Sequence, residues 1–152
     1  MGVSTNGRAR HGSYCDRADD QEAYEARRRG DADGACRFFA EDAQFTLAGA
    51  PNVSPIPVQA ENRDSIRQTL AALIAGFEFL EHDILSIIVE GEEAAVHSRV
   101  RLRATPSGEE AVTELADFLT FRDGKIVSFV QFCDTALAAR LTGGKPVQRV
   151  PA

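Results

Sequence analysis

Residues 92–134, EEAAVHSRVRLRATPSGEEAVTELADFLTFRDGKIVSFVQFCD, decide the fold. Their alternating apolar and polar residues predict three long strands, joined by tight turns at 105–108 (TPSG) and 122–125 (RDGK). Proline and glycine supply the backbone angles that such turns need, and Asp-Gly is a frequent hairpin dipeptide. Asp117 lies in the middle of the second strand among apolar neighbours. The stretch therefore predicts an antiparallel sheet that contains one exceptional acid.

Helical patterns precede this stretch. Residues from about 19 to 30 and from 32 to 40 have helical spacing, and Asn62 or Asp64 can begin a third helix that runs to about Gly76. Strands are expected at 43–47 and 77–89, a loop with three prolines at 48–60, and a short last helix at 135–141. Because the long strands gather at one end of the chain, we expect an α+β fold with helices on one face of the sheet.

Three local features have specific interpretations. The arginine run 27–29 could bind phosphate, but the solvated end of a helix that stops at Gly30 is the favoured interpretation. The loop at 48–60 could cover a pocket, since long loops without structure are often functional. Asp134 precedes the last helix and is interpreted as its N-cap.

Composition and charge indicate a soluble single-domain protein. The 152 residues fit one domain at 17–142, with a loose arm at 1–16 and a tail at 143–152. The net charge of −6 argues against nucleic acid as a partner, and no apolar run reaches the roughly 18 residues of a membrane span. The three cysteines are an odd count without metal-ligand spacing, which indicates reduced thiols and a cytoplasmic location. We expect no metal site, no membrane contact and no nucleic acid.

Alternation along the strands sorts the side chains into two faces. The apolar face should lie against the helices, and it also carries Asp117, Gln131 and Ser98. An unpaired buried carboxylate is destabilising, so Asp117 should be hydrogen-bonded, protonated or open to a cavity. The residues expected around a pocket on this side are Tyr24, Phe45, Leu47, Ser98, Val100, Leu102, Leu115, Leu119, Phe129, Gln131 and Cys133.

The opposite face combines charged and aromatic side chains. Such a mixture suits a subunit interface in which ion pairs fix the register. We therefore expect a symmetric homodimer through this outer face. The residues expected at the interface are Arg99, Arg101, Glu114, Phe118, Val130 and Phe132.

The chain resembles the SnoaL-like and ketosteroid-isomerase-like proteins of the cone-shaped nuclear transport factor 2 (NTF2-like) superfamily. The resemblance covers about residues 24–141 and is carried by Tyr24 with the Arg-Gly-Asp at 29–31, by FAEDA at 39–43 and by FRDGKI at 121–126. It implies an NTF2-like cone, in which three N-terminal helices pack on the concave face of a curved antiparallel sheet around a deep pocket. It also implies a homodimer.

The resemblance to steroid isomerases is partial. Their protonated acid on this strand, an oxyanion donor, matches Asp117. Their general base falls on Leu47, which cannot take a proton, and their donor tyrosine falls on Ala23. Tyr24 is the next residue, about 100° further round the helix. True steroid isomerisation is therefore not expected.

Two related activities match less well. The acid of the SnoaL-type polyketide cyclases again matches Asp117, but the histidine expected near the turn at 103–108 is absent. The limonene-epoxide hydrolases use an Asp-Arg-Asp set. Its first Asp falls on Val100 or Arg101, and its last Asp falls on Gln131. That hydrolysis is therefore not expected.

The resulting hypothesis is a cofactor-independent isomerase or cyclase that binds an apolar, carbonyl-bearing small molecule. Asp117 would give or take the proton during enolisation or an aldol-type cyclisation, while Gln131 and Tyr24 position the ligand. The alternative for Asp117 is a structural carboxyl held by Gln131, Ser98 or Thr46.

His97 shares the arginine face, and His82 and Asp83 are expected on opposite faces of their strand. A non-catalytic ligand-binding module and a dimeric association domain remain open alternatives, because the fold alone does not fix a function.

Overall fold

The computed structural model describes residues 17–49 and 58–143 of the chain. The expected arm at 1–16, most of the proline-containing loop and the tail beyond Gly143 lie outside the described residues. The elements run in the order α1 (Arg17–Arg28), α2 (Ala32–Cys36), β1 (Phe39–Leu47), β2 (Val58–Glu61), α3 (Arg63–Gly76), β3 (Phe77–Glu90), β4 (Glu93–Ala104), β5 (Glu110–Arg122), β6 (Lys125–Phe132) and α4 (Thr135–Leu141).

The strands of the described chain form one curved, open sheet in the order β2-β1-β6-β5-β4-β3. Neighbours from β3 to β6 are antiparallel, as the turn signals predicted. The sheet is nevertheless mixed, because β1 runs parallel to β6 with Phe45 beside Phe129. Parallel neighbours need a long crossover, and the whole segment from β2 to β5 supplies it. The prediction of an α+β fold is confirmed. The expectation of a purely antiparallel sheet is wrong, because one pair of strands is parallel.

The boundary between α2 and β1 differs from the prediction. The helix ends at Cys36 instead of Ala40, and the strand begins at Phe39 instead of Ala43. Gly34 weakens a helix, whereas consecutive aromatic residues favour a strand. Phe39 also gains contact with the sheet core, since its ring lies 6.0 Å from that of Phe129. Tertiary packing therefore replaces the last helical turn with strand.

The expected loop at 48–60 contains part of an unpredicted strand. β2 begins at Val58, directly after Pro57, and pairs antiparallel with β1 so that Ala60 faces Phe45. The sequence favours a loop here because proline cannot donate a backbone hydrogen bond to a sheet ladder. β2 covers one edge of β1 and leads directly into α3.

The helix ends follow local hydrogen-bonding rules. The Asn62 side chain accepts from the Ser65 amide at the start of α3, and the Asp134 side chain accepts from the Leu137 amide at the start of α4. Asn62 is thus the cap of α3, and the predicted cap of α4 is confirmed. In the described part of the chain, no helix is long and apolar enough to cross a membrane. The cytoplasmic location stays a prediction.

The core lies between the sheet and the helices α1, α2 and α3. Ala26 and Ile66 from the helices are buried in one cluster with Phe45, Leu119 and Phe129 from the strands. The alternation predicted for β4 and β5 is confirmed, because every second residue from Ala94 to Ala104 and from Leu115 to Phe121 is buried. Burial of one large apolar side chain stabilises the fold by roughly 1.5–3 kcal/mol. This face positions the acid at the centre of β5.

Candidate functional site

Asp117 is a fully buried carboxylic acid with two side-chain hydrogen-bond partners. The Tyr24 hydroxyl donates to its Oδ2 over 2.6 Å, and the Gln131 amide donates to its Oδ1 over 2.8 Å. The exposed fraction of Asp117 is 0%. The three groups come from α1, β5 and β6, so they join the helix layer to the middle of the sheet.

Strand register and helix periodicity bring these groups together. Asp117 and Gln131 are directly opposite each other in the antiparallel pair of β5 and β6. Tyr24 and Arg27 are three residues apart on α1 and therefore share one face of the helix. The sequence alternative in which Gln131 holds the carboxyl agrees with this geometry. The Ser98 hydroxyl, by contrast, has no hydrogen-bond partner among the described residues.

Burial raises the pKa of Asp117 from 3.8 to about 6, because the protein interior disfavours the charged carboxylate. The hydrogen bonds from Tyr24 and Gln131 favour the charged form and lower the pKa in part. At pH 7, roughly a tenth of the molecules still carry the proton. Asp117 can therefore exchange a proton close to neutral pH.

Two neighbouring cavities of about 70 Å³ each lie between the helices and the inner face of the sheet. Tyr24 and Gln131 line the first cavity, whereas Asp117 lies behind them and lines neither. A cavity of this size holds roughly five water molecules or a small organic ligand. A ligand would therefore meet Tyr24 and Gln131 directly and Asp117 through them. The residues shared by both cavities are Arg27, Leu73, Phe79, Leu115 and Gln131.

Most residues expected around a pocket lie at these cavities. The first cavity is lined by Tyr24, Phe45, Leu119 and Phe129, the second by Leu47, Leu102 and Cys133, and both by Leu115 and Gln131. Ser98 and Val100 are fully buried and line neither of them. Burial raises the pKa of the Cys133 thiol to about 11, so it is an uncharged part of the wall. The functional roles of all these residues stay predictions.

The sequence suggested that Arg27 belongs to a solvated helix end, and for this residue the prediction is wrong. Its guanidinium lies 4.0 Å from the centre of the Phe79 ring, and burial lowers the pKa of Arg27 to about 10. One nitrogen, Nη2, donates to the carbonyls of Leu73 and Phe77 over 3.4 and 3.3 Å. Arg28 and Arg29 are exposed, as expected. The cation of Arg27 instead lies between the two cavities.

His82 is a cavity residue that the sequence did not reveal. Its ring packs edge-on against Tyr24, with ring centres 4.8 Å apart, and its buried Nε2 has no hydrogen-bond partner in the described part of the chain. Burial and the nearby charge of Arg27 lower the pKa of His82, so the imidazole is neutral at pH 7. A shift in the pairing register between Phe79 and Glu81 carries His82 to the cavity side.

The outer face carries the residues expected at a dimer interface. Arg99 is directly opposite Glu114, and Glu114 also accepts from His97 over 2.8 Å. Arg101 lies between Glu81 and Glu110. The aromatic pair on this face is Phe118 and Phe132, whose rings are 5.8 Å apart and each about half exposed. Val130 is half-buried beside them. This placement agrees with the predicted face, while the dimer itself stays a prediction.

The site belongs to a known kind of domain. The sequence pattern of the SnoaL-like domain matches residues 21–129. The chain belongs to the SnoaL-like family. No curated protein of known function matches it. In the described SnoaL-like domain, no three His, Cys, Asp or Glu side chains lie close enough together to hold a metal ion.

Solved structures share the NTF2-like fold. A Bacillus subtilis protein, provisionally named an isomerase, has a TM-score of 0.71 at 15% identity over 86% of this chain and 99% of its own. An NTF2-like protein of unknown function from Burkholderia pseudomallei has a TM-score of 0.69 at 23% identity, over 82% of this chain and 95% of its own. A protein from Catenulispora acidiphila with a ketosteroid-isomerase-like fold, bound to trimethylamine, has a TM-score of 0.68 at 16% identity, over 88% and 97%. At these identities the likeness shows the fold alone.

Proposed function

We propose that this SnoaL-like protein is a cofactor-independent isomerase or cyclase for a small, apolar, carbonyl-bearing molecule bound in the first cavity. The observation that carries the proposal is the hydrogen-bonded group in which Tyr24 and Gln131 line an apolar cavity and hold Asp117 behind them. A buried acid with a raised pKa beside a cavity is a frequent mark of proton-transfer sites. The similar Bacillus subtilis protein carries an isomerase name, which supports the same class.

Tyr24 is the group that touches the ligand carbonyl, and Asp117 acts through it. In the protonated form, Asp117 donates its proton to the Tyr24 oxygen while the Tyr24 hydroxyl donates to the carbonyl oxygen. When the carbonyl becomes an enol, Tyr24 gives up its proton and receives the proton of Asp117. Gln131 holds the resulting carboxylate through the existing 2.8 Å bond. The apolar lining of the cavity lowers the local dielectric constant, which strengthens these hydrogen bonds.

His82 supplies the base that Leu47 cannot. Its neutral imidazole lines the first cavity, and its buried Nε2 has no hydrogen-bond partner among the described residues. The proposed step requires the ring to turn so that this nitrogen accepts the proton of a carbon next to the carbonyl. Enolisation then leaves a His82 imidazolium and an Asp117 carboxylate. Return of the proton from His82 to another carbon of the ligand, together with return of the enol proton through Tyr24 to Asp117, completes an isomerisation. An acid and a base whose environments shift their pKa values in opposite directions form a suitable pair.

Hydrogen–deuterium exchange tests the proposal without knowledge of the natural substrate. Cyclopentanone in D₂O at pH 6 should exchange its α-protons faster with the protein than in buffer, as measured by proton NMR. The Asp117→Asn and His82→Gln variants should lose roughly 10²-fold or more of this rate, the usual contribution of general acid–base catalysis. His97→Gln is the matched control, because it makes the same substitution on the outer face and should keep the rate.

The pH profile adds a second criterion. The rate should fall above about pH 6 as Asp117 loses its proton, and it should also fall at low pH as His82 gains one. No exchange above buffer for cyclopentanone and other small ketones would contradict the proposal. A full rate in Asp117→Asn would contradict the role of the acid.

We further propose that the protein associates as a homodimer through the outer face. Phe118 and Ile88 expose 52% and 68% of their surface, and with Val130 they line a groove of about 290 Å³. Grouped aromatic and aliphatic side chains with charged neighbours are typical of subunit interfaces. Light scattering should give the mass of a dimer for the wild type and of a monomer for Phe118→Asp. A monomeric wild type would contradict this proposal.

A further inference from the structure

We propose that Arg27 is an anion-binding group at the partition of the two cavities and that the ligand is a short-chain carboxylic acid. This inference rests on the proposed function, because it names the substrate class of the same site. Arg27 lines both cavities, and its guanidinium lies 4.0 Å from the centre of the Phe79 ring. A carboxylate in either cavity would therefore meet this cation.

The structural partners of Arg27 leave most of its hydrogen-bonding capacity unused. An arginine has five N–H donors in a rigid fork. In the described residues only Nη2 has acceptors, the carbonyls of Leu73 and Phe77 at the end of α3. Both distances, 3.4 and 3.3 Å, are longer than an ordinary N–H···O bond. The contact with the end of α3 thus orients the side chain without satisfying it.

Among the described side chains, the charge of Arg27 also lacks a counter-ion. No carboxylate among the described side chains forms an ion pair with it, whereas its neighbour Arg28 pairs with Glu25 at 3.2 Å. A buried charge is normally paired, because desolvation without a partner is strongly unfavourable. A carboxylate ligand would supply the missing charge, and the planar fork of arginine binds a carboxylate through two parallel hydrogen bonds.

The spacing of Tyr24 and Arg27 limits the length of the ligand. Residues three apart on a helix have Cβ atoms roughly 5–6 Å apart, so both side chains serve the same small cavity. A molecule whose carbonyl meets Tyr24 and whose carboxylate meets Arg27 is a short oxo acid. Its apolar carbon chain fits the remaining wall, which is formed by residues such as Phe45, Leu119 and Phe129.

Three probes of equal size test the charge preference directly: butyrate, butyramide and butylamine. Their binding to the full chain at pH 7 can be followed by chemical shifts of the backbone amides. The wild type should bind butyrate about tenfold more tightly than butyramide, the gain expected from a charge-assisted hydrogen bond. Butylamine should show no saturable shift, since Arg27 repels a cation. Equal affinity for butyrate and butyramide, or no saturable shift with butyrate, would overturn the inference.

Two substitutions of Arg27 locate the preference. Arg27→Met keeps an apolar stem against Phe79 and should abolish the tenfold difference, while Arg27→Lys keeps the charge without the fork and should retain part of it. Arg28→Met is the matched control, and it should leave the difference unchanged because Arg28 is exposed. Thermal melting checks that each variant is folded. If a folded Arg27→Met variant still prefers butyrate to butyramide, the inference is also overturned. The comparison of the probes on the wild type does not depend on any variant being folded.

The two proposals can fail separately. Exchange of cyclopentanone tests Tyr24, Asp117 and His82 with a neutral ketone that does not need Arg27. The butyrate preference tests Arg27 without any reaction. Loss of one result with retention of the other therefore shows which proposal is wrong.

Discussion

The inner and outer faces of the same strands treat charge in opposite ways. On the outer face, Glu114 lies against both Arg99 and His97, and all three side chains are about half exposed. On the inner face, Asp117 has no exposed surface and is held by two neutral groups, Tyr24 and Gln131. Hydrogen bonds lower the pKa of Glu114, whereas burial raises the pKa of Asp117.

This difference distinguishes solvated surface charges from a buried acid whose ionisation is unfavourable. Exposed ion pairs contribute little to stability, because water already solvates both partners. A buried carboxylate destabilises the protein as soon as it ionises, and the proposed proton transfer would account for its retention in an apolar core. The two faces should therefore respond to pH with opposite signs, and substitutions on each can test the contrast.

The largest effect is expected for Asp117→Asn. The folded pKa of Asp117, about 6, lies above the unfolded value of 3.8, so the folded protein holds the proton more tightly. This stabilisation is present at low pH and is lost as pH rises through about 6. Asparagine has no such loss. Relative to the wild type, the free energy of unfolding of Asp117→Asn should therefore increase by about 2 kcal/mol between pH 4 and pH 7.

Urea unfolding of both proteins across this pH range measures the effect. The difference between the two proteins removes the contribution of outer-face acids such as Glu114, whose lowered pKa gives the opposite pH dependence. A difference that stays constant from pH 4 to pH 7 would show that Asp117 is ionised throughout, against the buried-acid interpretation.

Tyr24→Phe should have an intermediate effect. It removes a 2.6 Å hydrogen bond to the buried carboxyl while keeping the ring that packs against His82. Because this bond lowers the pKa of Asp117, its loss should raise that pKa further, which carbon NMR of the carboxyl can follow. At pH 7 the free energy of unfolding should fall by about 1–3 kcal/mol, the usual consequence of an unsatisfied buried group.

A double-mutant cycle checks the assignment. In the Asp117→Asn background, Tyr24→Phe should destabilise the protein less than in the wild type, since no carboxylate remains to be stabilised. Strictly additive effects of the two substitutions would show that Tyr24 and Asp117 do not act as a pair.

The smallest effect is expected for Glu114→Gln on the outer face. The substitution removes the charge that faces Arg99 and His97 but leaves a side chain of the same shape. Urea unfolding at pH 7 should change little, and the remaining difference should vanish at high salt because exposed charges are screened. A large loss that depends on protein concentration would instead place these ion pairs inside a subunit contact.

Strand alternation made much of the site predictable. β4 and β5 keep strict two-residue periodicity, so the burial of Asp117 and its neighbours Leu115 and Leu119 follows from the sequence. The turn at 122–125 alone would place Val130 opposite Asp117, and a register shift between Thr120 and Phe121 brings Gln131 there instead. The sequence analysis also expected Tyr24, on the first helix, to line the pocket, and it lines the first cavity.

The residues that the sequence missed depend on non-local or irregular features. His82 lies on the cavity side because the register shifts after Phe79, and an irregularity of one residue cannot be read from composition. Arg27 lies in an arginine run that looks solvated, and only its position against Phe79 distinguishes it from Arg28. The early start of β1 at Phe39 depends on a partner strand that comes last in the chain.

The pairing of β1 with β6 also matters while the chain is being made. Phe45 needs Phe129 as its neighbour, and the ribosome adds that residue only after all of β2 to β5. Until then β1 has an open, apolar edge, and such edges pair readily with other chains. Newly synthesised chains should therefore need protection from aggregation until the final strand emerges, and a stop codon before β6 should yield insoluble protein.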